Sequence, residues 1–294
     1  MSARENLVAV IMAGGIGSRF WPASTPENPK QFLKLFGERS LLQQSYDRIA
    51  SLIPADRILI LTQERFRGLV NTQLPDIPDE NIIGEPIRRD TAAPVALSAL
   101  WTHEKWGQKA LAVLTSDHII GPDADFQKAL LSAAEAAMVS DCLYTFGIPP
   151  NYPATGFGYL EMADALQEDD GIAHFKLKRF VEKPDSKTAK KYCDAGYFLW
   201  NSGMFVFKAS AYLDELQRQR PTMADACKAA DTNRRSSSWI KFNLVIIISR
   251  SSAVETRPRP SQKCDLIRAR QSGDSSPSAL LIKSFTISSA CPSL

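Results

Sequence analysis

Over the first half of this chain, short unbroken apolar runs alternate with longer stretches of helical period. Leu7-Val8-Ala9-Val10-Ile11-Met12-Ala13 is continuous, rich in β-branched residues and stops at a glycine pair. An apolar run of that length without polar alternation predicts a strand covered on both faces, hence a parallel sheet flanked by helices. A polar loop runs to about Lys30. Ser40 then opens a helix with Leu41, Leu42, Tyr46 and Ile49 on one face. Further strands are expected at 57–61, 81–84, 110–114 and 142–147, with helices at 91–106 and 126–139. Strand–helix–strand alternation at this spacing defines an α/β fold with a doubly wound sheet.

From Thr155 the segments shorten. Strands are expected at 159–162, 175–181 and 203–207, followed by helices at 210–219 and 222–230. This part reads as a second, mixed lobe closing over the carboxyl edge of the sheet, so residues 1–233 divide near position 150. After Asn233 the pattern dissolves, and only the apolar run Leu244 to Ile248 interrupts a tract holding 15 serines, four prolines and three acidic residues. Such a composition reads as poorly ordered.

Charge sharpens that boundary. The chain carries a net +3, but residues 1–233 hold 25 basic and 29 acidic side chains while residues 234–294 hold 10 and 3. A break in charge, periodicity and acidic content at one point is what a frame change in the gene would produce. The basic residues show no aromatic interleaving and no helical stripe, which argues against nucleic-acid binding. Five scattered cysteines (Cys142, Cys193, Cys227, Cys264 and Cys291) include no C-x-x-C pair, so neither a disulfide framework nor a zinc site is suggested. A reducing cytoplasm is the compartment expected. Neither apolar run is long enough to cross a bilayer, and no membrane partner is expected. Oligomeric state leaves no trace in the sequence, so an oligomer stays open.

The densest chemistry follows the first strand, in Ala13-Gly14-Gly15-Ile16-Gly17-Ser18-Arg19-Phe20-Trp21-Pro22. Glycines there let backbone N–H groups approach a phosphate, at the strand end where open α/β sheets bind ligands. Arg19 adds a planar donor fork suited to phosphate oxygens. A dinucleotide fingerprint is excluded because position 20 is Phe, and no P-loop string is present. In Pro29-Lys30-Gln31-Phe32, Lys30 can fold back onto phosphates held by the glycines. Asp117 follows the 110–114 strand, where a carboxylate can hold Mg²⁺ together with phosphates and water; capping the next turn is its plainer role. His118 beside it, like His103 and His174, reads as a packed or hydrogen-bonded residue.

These two motifs resemble the signature of the mannose-1-phosphate guanylyltransferases, within the sugar nucleotidyltransferase family. The likeness continues in order through Glu85-Pro86-x-x-Arg89-Asp90-Thr91, Ser116-Asp117-His118, Thr155-Gly156-Phe157-Gly158-Tyr159, Phe180-Val181-Glu182-Lys183-Pro184 and Trp200-Asn201-Ser202-Gly203-Met204-Phe205, over roughly residues 7–230. It implies a Rossmann-like mixed sheet with helices on both faces, a nucleotide-binding part to about residue 150 and a sugar-binding part over 151–233. It implies GTP and mannose-1-phosphate as substrates and Mg²⁺ as cofactor. Arg19, Lys30 and Asp117 would be catalytic, with Asp117 the metal ligand. Gly14, Gly15, Gly17, Glu85, Pro86, Arg89, Asp90 and Thr91 would bind the nucleotide, although Asp90 stands where the family more often has Asn. Gly158, Glu182, Lys183 and Asn201 would bind the sugar phosphate.

Glu182 and Lys183 can serve together only if the strand ends or twists between them, because successive strand residues face opposite ways. The family's second metal carboxylate, in a stretch like W-S-D-V-G-S-W, has no counterpart here. Asp265 and Asp274 are the only aspartates after Asp231, and neither has that setting. Impaired catalysis is therefore one expectation. A non-catalytic nucleotide-sugar binder, a defective product, or transfer to another sugar-1-phosphate are the alternatives.

Overall fold

In the computed structural model, which describes residues 2–15, 21–85, 91–169, 171–235 and 283–287, the first strand, β1 (Leu7–Met12), is buried along all but its last residue. Its alternate side chains serve two layers, as a doubly covered strand requires. Leu7, Ala9 and Ile11 pack with Leu42 and Ile49 of α1 (Leu41–Ala50), Val70 of α2 (Arg67–Gln73) and the alanine-rich face of α4 (Asp123–Val139). Val8 and Val10 turn to the other side, toward Val95 and Ala99 of α3 (Ala92–Trp106) and toward α6 (Ala209–Gln219). Ser40 starts α1 with a complete capping box. Its hydroxyl accepts from the Gln43 amide at 3.1 Å, and its own amide donates to Gln43 Oε1 at 3.0 Å.

Beside β1 lie β2 (Ile58–Gln63), β3 (Ile82–Glu85) and β4 (Ala110–Thr115), all parallel. The remaining strands are β5 (Leu143–Ile148), β6 (Tyr159–Asp169), β7 (Ile172–Val181), β8 (Phe198–Lys208) and β9 (Lys283–Ile287). The sheet order is β3-β2-β1-β4-β8-β5-β9-β7-β6. Helices α5 (Ser186–Ala195) and α7 (Pro221–Arg235) complete the elements. The fold is mixed α/β, as expected.

Two features differ from the sequence reading. Residues after 150 extend the same sheet: β8 is antiparallel to both β4 and β5 and sits between them. Expected only at 203–207, β8 begins at Phe198, since Phe198, Leu199 and Trp200 continue its buried side. The tract after Asn233, expected to carry no element beyond Leu244–Ile248, supplies β9, which bridges β5 and β7. Its Lys-Ser-Phe-Thr-Ile run has the two-residue alternation of a strand; Leu244–Ile248 lies outside the described residues. Because β6 also pairs with β8, strands β8, β5, β9, β7 and β6 close on themselves into a ring.

Candidate active site

The parallel half of the sheet and this ring share one edge of β8, and the site opens where they part. β4 pairs with that edge as far as Val113 opposite Phe205, and β6 takes it over at Tyr159 opposite Trp200. Between them, residues 201–204 of β8 face no strand on that side. Gly203 sits in this gap with φ +71°, a conformation that side-chain-bearing residues rarely adopt. A methyl group added there would stand 3.9 Å from Thr115 Cγ2, at the end of β4. The carboxyl ends of β1, β3 and β4 therefore lie along the same edge of the sheet as the start of β8, where β6 begins to pair with it.

At the carboxyl ends of β1 and β4, Lys30 pairs directly with Asp117. The glycine loop starts beside them. A methyl group added at Gly15 would lie 3.9 Å from Lys30 Cε, and one at Gly14 would lie 3.6 Å from Glu85 Oε2. Those are ordinary contact distances, and neither glycine has a positive φ. Among the described residues, nothing in the fold itself therefore demands glycine at either position.

Buried polar side chains fix the roots of these groups. Gln31 Nε2 donates to Ala13 O at 2.7 Å, Thr62 Oγ1 to the same oxygen at 3.2 Å, and Gln63 Nε2 to Gly14 O at 3.3 Å. On the Asp117 side, Ser116 Oγ donates to Met12 O at 2.7 Å and Ser45 Oγ to Thr115 O at 3.3 Å. Sequence reasoning named none of these five in a positioning role. Gln31 was visible inside the Pro-Lys-Gln-Phe motif and Ser116 inside Ser116-Asp117-His118; the other three carry no local signal because their partners are backbone atoms distant in sequence.

Burial pushes the Asp117 carboxyl up, but the Lys30 ammonium, with His118 and a backbone hydrogen bond, outweighs it and holds the pKa below the usual aspartate value. Asp117 is thus an ionised hard-oxygen donor at neutral pH. Burial lowers the His118 pKa; Asp117 opposes this, while Lys30 and Arg48 add to it, so the imidazole is neutral near pH 7. His118 Nδ1 meets Thr115 Oγ1, and its ring borders a cavity of about 40 Å³ lined by Ile119, Ile120, Phe146, Ile148, Ser202 and Met204. His174 is buried, 2.8 Å from Ser132 Oγ and edge-on to Tyr144. His174 is a packed histidine, while His118, part exposed, is hydrogen-bonded to Thr115.

At the start of β8, Asn201 donates its backbone N–H to Gly158 O at 2.8 Å and accepts from Thr145 Oγ1 at 3.0 Å. Gly158 is packed tightly: a methyl group there would fall 2.7 Å from the Phe180 ring and 2.8 Å from Glu182 Oε2. The strand question at Glu182 and Lys183 has a structural answer. β7 ends at Val181, and Lys183 takes φ +44°, which brings its ammonium onto Glu182 Oε1. Both side chains are half exposed. Phe157 and Tyr152 flank the Trp200 ring edge-on, at 5.2 and 4.9 Å between centroids. Thr91 occupies the N-cap of α3 but makes no capping hydrogen bond through its hydroxyl.

The structure brings together Lys30, Asp117, Gly14, Gly15 and Glu85 in one cluster, and Gly158, Glu182, Lys183 and Asn201 in another, along the same sheet edge. Gly17, Arg19, Pro86, Arg89 and Asp90 lie outside the described residues, as do Asp265 and Asp274. Among the described residues, no group of three or more His, Cys, Asp or Glu side chains could hold a metal ion unaided.

A mixed α/β sheet with polar side chains and glycines gathered at the carboxyl ends of its parallel strands is the architecture of a ligand-binding α/β protein. Residues 8–243 match the family described as Nucleotidyl transferase, and the chain belongs to that family. It is 43% identical over 226 residues to the mannose-1-phosphate guanylyltransferase of Klebsiella pneumoniae, covering 76% of this chain and 47% of that protein. A Thermus thermophilus structure described as a mannose-1-phosphate geranyltransferase matches with TM-score 0.70 and 30% identity, over 77% of this chain and 64% of that one. A Helicobacter pylori structure described as a mannose-6-phosphate isomerase matches with TM-score 0.61 and 33% identity, over 77% and 80%. The chain spans about half the length of the curated relatives it matches.

Proposed function

We propose that this chain transfers a guanylyl group from GTP to mannose-1-phosphate, forming GDP-mannose and releasing pyrophosphate. The Lys30–Asp117 pair beside Gly14 and Gly15 carries the reading, because it sets a cation and an ionised carboxylate where a triphosphate would enter. A phosphate oxygen of the sugar phosphate attacks the α-phosphorus of the nucleotide. That nucleophile is already an anion, so no general base is needed, in keeping with a neutral, packed His118. Rate acceleration then rests on alignment and charge neutralisation.

Asp117 suits Mg²⁺, which binds through one or two carboxylates and fills its shell with phosphate and water oxygens. When bound, the metal would neutralise triphosphate charge. Lys30 and Arg19 would hold phosphate oxygens, and Glu85, with Pro86, Arg89, Asp90 and Thr91, would face the nucleoside. Gly158 would let the sugar approach the backbone, Asn201 and Glu182 would bond its hydroxyls, and Lys183 would hold its phosphate. Among the described residues no helix is long and apolar enough to cross a membrane; we place the reaction in the cytoplasm, where its phosphorylated substrates are made. The test is pyrophosphate release with a panel of nucleoside triphosphates and sugar-1-phosphates in the presence of Mg²⁺. GTP with mannose-1-phosphate should be the fastest pair. Release confined to a uridylyl or thymidylyl donor with glucose-1-phosphate would reject the substrate assignment, and no release from any pair would reject the activity.

A further inference from the structure

β5 and β8 fall out of step beside the residues assigned to the sugar. Thr145 pairs with Phe205 and Gly147 with Asn201, so Ser202, Gly203 and Met204 stand opposite Phe146 alone. A bulge of this kind re-aims the side chains at its rim. Gly203 makes the turn at φ +71°, and Ser202 Oγ accepts from the Met204 N–H at 3.2 Å. Thr145 joins the two ends of the bulge. Its hydroxyl lies 2.9 Å from Met204 O and 3.0 Å from Asn201 Oδ1, and its one hydrogen is shared between these two acceptors.

Thr145 is 1% exposed. Satisfying the Met204 carbonyl would account for a hydroxyl at this position, but not for its reach to Asn201. A carboxamide accepts at one end and donates at the other, and the two ends have nearly the same shape. Without a partner it turns over easily and presents either end. With Oδ1 engaged by Thr145, the NH2 group is the end left to serve a ligand. The backbone of Asn201 is tied as well, through its N–H on Gly158 O at 2.8 Å. The orientation of the amide is thus set before any ligand arrives, which lowers the ordering required on binding.

We propose that Thr145 is a positioning residue for sugar recognition, which fixes the Asn201 carboxamide so that Asn201 meets the sugar as a hydrogen-bond donor. The sugar oxygen that Asn201 bonds then acts as an acceptor. This inference rests on the assignment of Asn201 to the sugar given above.

The experiment is calorimetric titration of the full chain with GDP-mannose, and with GDP alone as the control, in the presence of Mg²⁺. Thr145→Val keeps the shape and loses the hydroxyl. It should weaken GDP-mannose binding about fivefold, the size of one neutral hydrogen bond, and leave GDP binding unchanged. Thr145→Ser should recover most of that loss. Asn201→Ala should weaken GDP-mannose binding at least as much, and adding Thr145→Val to it should bring no further loss, a non-additivity that a merely structural role does not produce. Asn201→Asp keeps an oxygen for Thr145 but has no N–H, so it should bind no better than Asn201→Ala. Unchanged GDP-mannose binding in Thr145→Val, additive losses in the double variant, or full binding by Asn201→Asp each overturns the proposal. If Thr145→Val does not fold, Thr145→Cys, with its weak S–H donor, takes its place under the same expectations. Failure of every form to bind GDP-mannose removes this inference together with the sugar assignment. Pyrophosphate release that depends on mannose-1-phosphate, with GDP-mannose binding insensitive to Thr145→Val, removes the inference alone. The expected binding pattern without pyrophosphate release removes only the transfer activity.

Discussion

The two residue clusters of the proposed site, one assigned to phosphate and one to sugar, are built by different means. At the end assigned to phosphate, Gly14, Gly15 and Asp117 follow strands buried on both faces, Lys30 stands on a short turn, and buried side chains tie the carbonyls of Ala13, Met12 and Thr115. At the sugar end, Glu182 and Lys183 stand half exposed past the end of β7, placed by a left-handed backbone turn and by the contact of Gly158 with Phe180. One end is placed by hydrogen bonds from side chains of the sheet's core. The other takes its shape from local backbone geometry and a single close packing point, so it tolerates loss of charge better and loss of shape worse.

That contrast predicts its largest effect in catalysis. Replacing Asp117 by Asn should lower kcat by about 10²- to 10³-fold, the range for removing a preorganised electrostatic group, with a melting temperature within a few degrees of the original. Glu182→Gln, at the half-exposed end, should cost no more than about tenfold, because solvent screens an open charge. Steady-state kinetics on the two variants checks this. Equal losses would erase the distinction between the ends.

The next effect is one of shape. Gly158→Ala forces a methyl group against the Phe180 ring and Glu182 Oε2, at 2.7 and 2.8 Å. Overpacking of this kind costs about 1 to 3 kcal/mol, and it should also raise KM for the sugar phosphate while leaving KM for the nucleotide unchanged. Gly14→Ala meets nothing closer than 3.6 Å among the described residues, so stability should hold while nucleotide KM rises. Denaturant melts paired with the two KM values settle it. A stability loss at Gly14 equal to that at Gly158 would show that packing, not ligand approach, selects both glycines.

The same contrast explains what could be read from the sequence. The end assigned to phosphate was legible because its strands are unbroken apolar runs such as Leu7 to Ala13, because glycines and Asp117 follow those strands directly, and because Lys30 stands in the Pro-Lys-Gln-Phe motif on the same loop. The sugar end was legible only as motif. No spacing rule could say that Lys183 turns left-handed, or that β8 begins at Phe198 and inserts between β4 and β5. The gap at residues 201–204 comes from two strands sharing one edge of a third. That is a property of topology, to which a local pattern is blind. Short elements were missed for a related reason: α2 and α5 bury one residue each, Val70 and Ala189, too few to mark a helical period.

The smallest expected effect isolates the backbone at Lys183. Among the described non-glycine residues it alone has positive φ, at +44°, a conformation costing roughly 1 kcal/mol for most side chains and less for Asn. Lys183→Asn should therefore stabilise the fold by up to about 1 kcal/mol over Lys183→Ala, which keeps the unfavourable conformation. Both variants lack the ammonium, so both should raise KM for the sugar phosphate to a similar degree. Greater stability with poorer binding would mean that the turn is kept to aim a charge, since an aspect of the fold alone would be served better by Asn. Equal melting of the Asn and Ala variants would show that the turn at Lys183 carries no strain.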